Sequence, residues 1–170
     1  MHVDVAPLRP EHAEAIVDAE DDATMRWLSG GRSTVDGTTD YIARLARDAE
    51  QGASKRAFGI WVDGALVGAA DFDADVTDGL EPGDVNIAYG VAPWVRGRGV
   101  AGCAVELLCS IIRERGVGTR AVIRSDVRNP ASARVAEKAG FAHLRDVPSS
   151  TETQDDGSPV ILRVFGRSLA

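Results

Sequence analysis

The chain is poor in the residues that announce most chemistries. Its 170 residues include two cysteines, Cys103 and Cys109. Both lie on one helical stretch at a spacing that points them to different faces, so they cannot pair within it. They read as small core fillers of a reduced protein. The three histidines, His2, His12 and His143, are isolated and lack metal-ligand spacing, so no metal is expected. No apolar run approaches the roughly 20 residues that a membrane span needs. The start, Met1-His2-Val3-Asp4, has no basic region followed by an apolar one. Basic charge is in deficit: the formal net charge is −7 and the pI is near 4.9. A nucleic-acid-binding face is usually basic, so the balance argues against one. The expectation is a cytoplasmic protein with neither a nucleic-acid nor a membrane partner. Internal repeats are also missing, and a 44% apolar composition suits one domain over residues 1–170 with a core of its own.

What is present alternates and punctuates clearly. His2 to Leu8 alternates like a strand, and Pro10 opens a helix to about Asp21, with Ala13, Ile16 and Val17 inward. Thr24 to Leu28 is a short segment before a Gly30-Gly31 break. Ser33 to Gln51 carries Tyr41, Ile42, Leu45, Ala46 and Ala49 as a helical apolar stripe. Lys55 to Val62 and Ala65 to Phe72 alternate around Asp63-Gly64, which predicts a hairpin. An acidic connection with Asp73, Asp75, Asp78 and Glu81 leads to a strand from Asp84 to Val91. Val100 to Arg115 is a helix with Ala104, Leu107, Leu108, Ile111 and Ile112 toward the core, stopped by Gly116 and Gly118. Arg120 to Val127 reads as a buried strand. Asn129-Pro130 opens a helix to Ala139, which Gly140 ends. Phe141 to Val147 is a strand, Ser149 to Ser158 a polar loop, and Val160 to Val164 the last strand. This order predicts an α/β protein, a mixed sheet with helices on both faces.

The segment Arg96-Gly97-Arg98-Gly99-Val100-Ala101 joins a strand to a helix N-terminus. Converging backbone N–H groups and the helix dipole make such a loop an anion site, so the ligand is expected to carry phosphate. A Walker-type loop is ruled out, because no Gly-Lys-Ser/Thr follows. Gly97 to Gly102 matches the dinucleotide pattern G-x-G-x-x-G literally. In that fold, however, the glycines follow the strand directly, and here Ala92-Pro93-Trp94-Val95-Arg96 intervenes. Asp126 also falls too late for the ribose acid, and three meandering strands precede the loop. An NAD(P)-binding protein is therefore a remote alternative.

The third reading rests on a resemblance. Val91 to Phe141 resembles the core of the GNAT superfamily of N-acetyltransferases. Arg96 to Ala101 matches its Arg/Gln-x-x-Gly-x-Gly/Ala signature, and Asn129-Pro130-Ala131-Ser132 with Glu137-Lys138-Ala139-Gly140-Phe141 matches its second block at the right separation. Leu8-Arg9-Pro10 and Met25-Arg26-Trp27-Leu28 are similar to the RimJ/RimL branch. The resemblance implies the acyl-CoA N-acyltransferase fold: a mostly antiparallel central sheet of about seven strands, splayed at the coenzyme site.

The resemblance also implies roles. The amides of Arg96, Gly97, Arg98, Gly99, Val100 and Ala101 would bind the coenzyme A pyrophosphate, with Arg96 and Arg98 adding charge. The pantetheine arm would lie between the strand ending at Val91 and the strand from Arg120, where Ala88 and Gly90 leave room. The N–H near Val91 or Ala92 would stabilise the oxyanion. Asn129, a good helix cap in its own right, would also bond the arm. Ser132 would lie near the coenzyme sulfur and protonate the leaving thiolate. Many relatives carry a Tyr four residues on, where this chain has Ala136. Many also carry a base, Glu, at the position of Asn86, and an amide is no base. The base is therefore open: either the acceptor amine has a low pKa, or a water chain leads to a carboxylate such as Asp84, Asp126 or one on the acidic connection. Trp27 and Asn86 are candidates for the acceptor pocket, with core or lid as the other reading of Trp27. Tyr89 alternates with Ile87 and Val91 and reads as core, and Trp94 as an anchor for the loop.

The expected function is transfer of an acetyl group from acetyl-coenzyme A to a primary amine by direct attack in a ternary complex. The acceptor is either a protein or peptide N-terminus or, as the net acidity suggests, a small cationic amine. A homodimer is a further expectation, since homologous folds often dimerise. The rival is a coenzyme-binding module with weak or no catalysis, motivated by the residues at 86 and 136.

Overall fold

The computed structural model describes residues 1–170. Alternation in β1 (Val3–Pro7) and β2 (Arg56–Val62) puts Val3, Val5, Phe58, Ile60 and Val62 on one face of an antiparallel pair. Asp63-Gly64, both at positive φ, turns β2 into β3 (Ala65–Asp73), and β4 (Asp84–Val91) continues the meander. α4 (Val100–Arg115) lays Val100, Ala104, Val105, Leu108, Cys109 and Ile112 onto that face, and these residues share one buried cluster with Phe58, Ile60 and Val62. Fully burying a Leu or Ile side chain contributes about 1.5–3 kcal/mol, so this helix is the main anchor of the sheet. α1 (Ala13–Asp18) and α3 (Val35–Glu50) cover the opposite face, where Ala13 and Ile42 are buried outside that cluster. β5 (Arg120–Asp126), α5 (Pro130–Lys138), β6 (Ala142–Thr153) and β7 (Pro159–Ser168) complete the chain. The seven strands lie in the order β1-β2-β3-β4-β5-β7-β6, antiparallel throughout except for β4 beside β5. No helix is long and apolar enough to cross a membrane.

Several expectations need correction. The first helix is shorter and broken: a 3-10 turn at Pro10–His12 precedes α1, which ends at Asp18. α3 starts after Thr34, whose side chain accepts from Gly37 N. The segment after α1 is a short turn, α2 (Asp22–Thr24), running into a π-helical turn at Met25–Ser29. That turn is closed by Gly30 N–H donating to Met25 O at 2.8 Å. Cys103 is exposed, whereas Cys109 is buried, and burial pushes its thiol up to about 11. Trp94 is 60% exposed and anchors nothing; Val95 beside it is buried.

The largest difference is the polar loop expected at Ser149 to Ser158. Residues Ser149 to Thr153 extend β6, and only Gln154 to Ser158 turn. The hydroxyls there are engaged by a distant carboxylate. Asp78 accepts from Ser149 Oγ at 2.6 Å, Ser150 N at 2.7 Å, Ser150 Oγ at 2.9 Å and Thr151 Oγ1 at 3.0 Å. Arg124 Nη1 pairs with Asp78 at 2.8 Å. Burial alone would raise the Asp78 carboxyl, but the bonds from Ser149, Ser150 and Thr151 outweigh it and hold the group well below the usual range. Its folded pKa is depressed, so the stability it contributes is present above the ordinary aspartate pKa of about 3.9 and is lost as pH falls below it. Asp78→Ala should cost about 3–5 kcal/mol, the cost of stranding a buried partner. Chemical denaturation at pH 7 checks this, and the deficit against the unmodified chain should shrink at pH 3.

Candidate active site

β4 and β5 pair only where Asp84, Val85 and Asn86 face Arg120, Ala121 and Val122. The paired end is clamped by Arg120, whose Nε and Nη2 donate to Asp84 at 2.7 and 2.9 Å. Beyond Asn86 the strands part. The β3–β4 ladder decides what β4 offers to this gap. Ala92 N–H donates to Val67 O at 2.7 Å, and bonding residues alternate along an antiparallel pair. Gly90 and Ala88 therefore turn their amides to β3, while Val91 and Tyr89 turn theirs to the gap. Of the pair Val91 and Ala92 proposed from sequence, Ala92 is thus committed elsewhere.

Side chains alternate as well. Tyr89 lies on the α4 side with Ile87, and Ser125 with Ile123; Asn86, Ala88, Gly90 and Arg124 lie on the other. All of these line one cleft of about 1640 Å³, so the cleft passes through the sheet between β4 and β5. On the far side the π-helical turn closes down. A Cβ at Gly90 would stand 2.7 Å from Leu28 Cδ2, so a larger residue there would displace the Leu28 side chain from the strand. Trp27 also lines the cleft, with the Arg26 guanidinium 4.3 Å from its ring centroid.

At the α4 end the cleft meets the glycine loop. Gly97 and Gly99 hold φ of 74° and 82°, which turns the chain into the helix without a side-chain cap. The N–H groups of Gly97 through Gly102 make no hydrogen bond within the protein. Unsatisfied donors at a helix N-terminus, where the dipole amounts to roughly half a positive charge, form an anion cradle. Gly97, Gly99, Val100 and Ala101 line the cleft, and Arg98 is exposed beside them. Arg96 is spoken for. Its Nη1 and Nη2 donate to Asp21 at 2.5 and 2.8 Å, Nη2 also reaches Thr24 Oγ1 at 3.2 Å, and Nε donates to Val91 O at 3.1 Å. The Arg96 hydrogen bond holds the Asp21 carboxyl well below the usual range. Arg96 therefore fixes the loop to α2 and steadies Val91, the residue whose N–H faces the gap.

Asn129 caps α5, its side chain accepting from Ser132 N at 3.3 Å, and both residues line the cleft. Reasoning from sequence missed their neighbour. The Tyr89 hydroxyl lies 3.2 Å from Ser132 Oγ and 3.3 Å from Ser132 O. Burial raises the Tyr89 phenol, only partly offset by the Ser132 bond, so it stays protonated through neutral pH. Ala136, where many relatives have Tyr, is fully buried. On β5, Ser125 Oγ is buried with no partner, and Ser125 lines the same cleft. A buried unpaired hydroxyl costs about 1–3 kcal/mol, which a polar arm lying in the gap would relieve.

The acids proposed as base fare unevenly. Asp84 is buried under Arg120 and does not line the cleft. Asp126 does, but Arg128 binds both its oxygens and holds the carboxyl below the usual range, which weakens it as a base. The acidic connection contributes Asp78 to the β6 network and nothing to the cleft. Asn86 is buried, its Oδ1 accepting from Arg124 Nε at 3.2 Å. Charge in the cleft is mixed despite the acidic chain: Arg26, Arg96, Arg124, Arg128, Arg134 and Lys138 line it with Glu106, Asp126, Glu152, Asp155 and Asp156.

The splayed sheet and the uncapped helix facing it fit an acyl-coenzyme A transferase. The family model of the acetyltransferase (GNAT) domain matches residues 3–142, and the chain belongs to that family of acetyltransferases. Solved structures similar to it include an acetyltransferase from Salmonella typhimurium that modifies the N-terminal serine of a 50S ribosomal subunit protein. It is 19% identical, with a TM-score of 0.81 over 98% of this chain and 94% of that one. RimL, a ribosomal alpha-N-protein acetyltransferase in complex with coenzyme A, is 18% identical with a TM-score of 0.80, covering 98% and 93%. The aminoglycoside acetyltransferase AAC(6')-Ib with coenzyme A is 18% identical with a TM-score of 0.77, covering 98% and 95%. No curated protein matches the sequence.

Proposed function

We propose that the protein transfers an acetyl group from acetyl-coenzyme A to a primary α-amine by direct attack, both substrates being held in the through-sheet cleft. The observation that carries this reading is the gap itself: free amides at the α4 N-terminus at one end, the Val91 and Tyr89 N–H groups along its edge, and the Tyr89–Ser132 pair beside them. Acetyl-coenzyme A supplies the activated acyl group as a thioester. Gly97 to Ala101 bind its pyrophosphate, and Asn129 and the unpaired Ser125 hydroxyl face its arm. The Val91 N–H, directed by Arg96, donates to the carbonyl oxygen as negative charge develops. Ser132 donates to the departing sulfur while accepting from Tyr89.

Choice of acceptor follows from how few of the cleft acids are free: Asn86 is neutral, Asp126 is tied to Arg128, Glu106 to Arg167, and Asp84 lies outside the cleft. Glu152, Asp155 and Asp156 line it from the end of β6 and the turn after it, and we take the amine to react through its own neutral fraction. An α-amine of pKa about 7.7–8.0 is roughly a tenth or more neutral at pH 7, whereas a lysine amine of about 10.4 is less than about a thousandth neutral. The predicted kcat/KM therefore rises with pH along the acceptor's own titration and shifts when the acceptor pKa is changed. A profile identical for acceptors of different pKa would point to an enzyme base instead.

Thiol release measured across peptides and small amines, with coenzyme affinity from calorimetry, tests the assignment. Tight acetyl-coenzyme A binding without turnover on any acceptor would make the chain a coenzyme-binding module and end the transferase reading.

A further inference from the structure

On the face of the sheet opposite Tyr89, Arg124 is held at two of its three nitrogens. Nε donates to Asn86 Oδ1 at 3.2 Å, and Nη1 donates to Asp78 O and Oδ2 at 3.1 and 2.8 Å. Nη2 has no partner within the protein and is not fully buried, and Arg124 lines the cleft. The side chain is 17% exposed, and Asp78 is its ion-pair partner. That carboxylate also accepts from Ser149, Ser150 and Thr151, so Asp78 and the guanidinium it holds are fixed in place, with Nη2 left as the one uncommitted donor nitrogen. A surface arginine solvates all its donors in water. A half-committed, immobilised guanidinium in a cleft is a built receptor for an oxygen anion.

We infer that Arg124 is a specificity residue that takes a carboxylate of the acceptor. This rests on the acetyl-transfer reading above and sharpens its substrate class. Asn86, where the guanidinium is anchored, lies three residues along β4 from Tyr89, about 10 Å at strand rise. Val91, whose N–H faces the thioester carbonyl, lies five residues from Asn86 along the same strand, so the carboxylate is expected roughly 10 to 17 Å from the reacting amine, a span of about three to five residues of an extended peptide. The same charge works against polycationic acceptors, for which no carboxylate replaces Asn86. The acidic net charge of the chain points toward cations, but the donor left uncommitted at this end of the cleft is a guanidinium nitrogen, which suits an anionic oxygen.

The test compares turnover on peptides of one to five residues, each with a free carboxylate and with a C-terminal amide. The unmodified protein should favour a carboxylate at its best length by about tenfold to a hundredfold in kcat/KM, the range for a hydrogen bond to a charged group. In Arg124→Gln that ratio should fall to about unity, with acetyl-coenzyme A affinity reporting that the variant is folded. If Arg124→Gln does not fold, the ratio in the unmodified protein decides alone. Equal rates on carboxylate and amide forms would overturn the inference and leave the transferase standing, with Arg124 a strut for Asp78. Failure to acetylate any amine would remove the transferase reading and this inference together.

Discussion

Tyr89→Phe is expected to lower kcat by about a hundredfold, at the lower end of what a positioned proton donor contributes, with acetyl-coenzyme A affinity nearly unchanged. The phenol lies 3.2 Å from Ser132 Oγ, so it can donate there and leave the Ser132 proton free for the departing sulfur. A thiol is an acceptable leaving group only when its charge is met; a free one has a pKa of about 8.5. Ser132→Ala should give a similar loss, and the double variant little more than either single one, because the two groups act as a unit. Independent losses that multiply would break the relay. So would a Tyr89→Phe variant of full activity when chemistry limits the rate. Burial raises the phenol above its ordinary value, so the neutral donor persists through that value. The relay should therefore survive to at least about pH 10 before an alkaline limb appears.

Tyr89 also marks where sequence stops being informative. The strand Asp84–Val91 and the helix Val100–Arg115 were readable to the residue, because local pattern fixes them: alternation in one, glycines at 99 and 116 bounding an apolar stripe in the other. Asn129 as a cap was legible for the same reason. Alternation places Tyr89 on the same side as Ile87, which argues for core. That it meets Ser132 depends on how far β4 and β5 diverge, and no local pattern encodes a divergence. The π-helical turn that presents Trp27 and Leu28 is likewise set by what it packs on, including the bare Gly90. β6 was cut short because Ser149, Ser150 and Thr151 look like loop until Asp78, 71 residues upstream of Ser149, is seen to engage them. Arg96 matches its motif, yet its side chain serves Asp21 and Val91; a motif marks a loop and leaves open which of its atoms would face a ligand.

That distinction makes the α4 N-terminus testable by opposing signs. Gly102 lines the cleft in the first turn of α4, and a Cβ built there meets nothing within 4 Å. Gly102→Glu should therefore stabilise the fold. Replacing a helical glycine gains about 0.5–1 kcal/mol, and a negative charge in the first turn adds about 0.3–1 kcal/mol through the helix dipole. The same carboxylate would occupy the field meant for a pyrophosphate. At about 5 Å and an effective dielectric of about 20, two like unit charges repel by roughly 3 kcal/mol, so acetyl-coenzyme A affinity should fall by about a hundredfold or more. Gly102→Gln has nearly the same size and helix propensity without the charge, and should bind far better than Gly102→Glu. A general disturbance of the loop would lower stability and affinity together in both variants. Only an anion site at these amides predicts a Gly102→Glu protein that melts higher and binds worse, and unchanged affinity in that variant would place the coenzyme phosphates elsewhere.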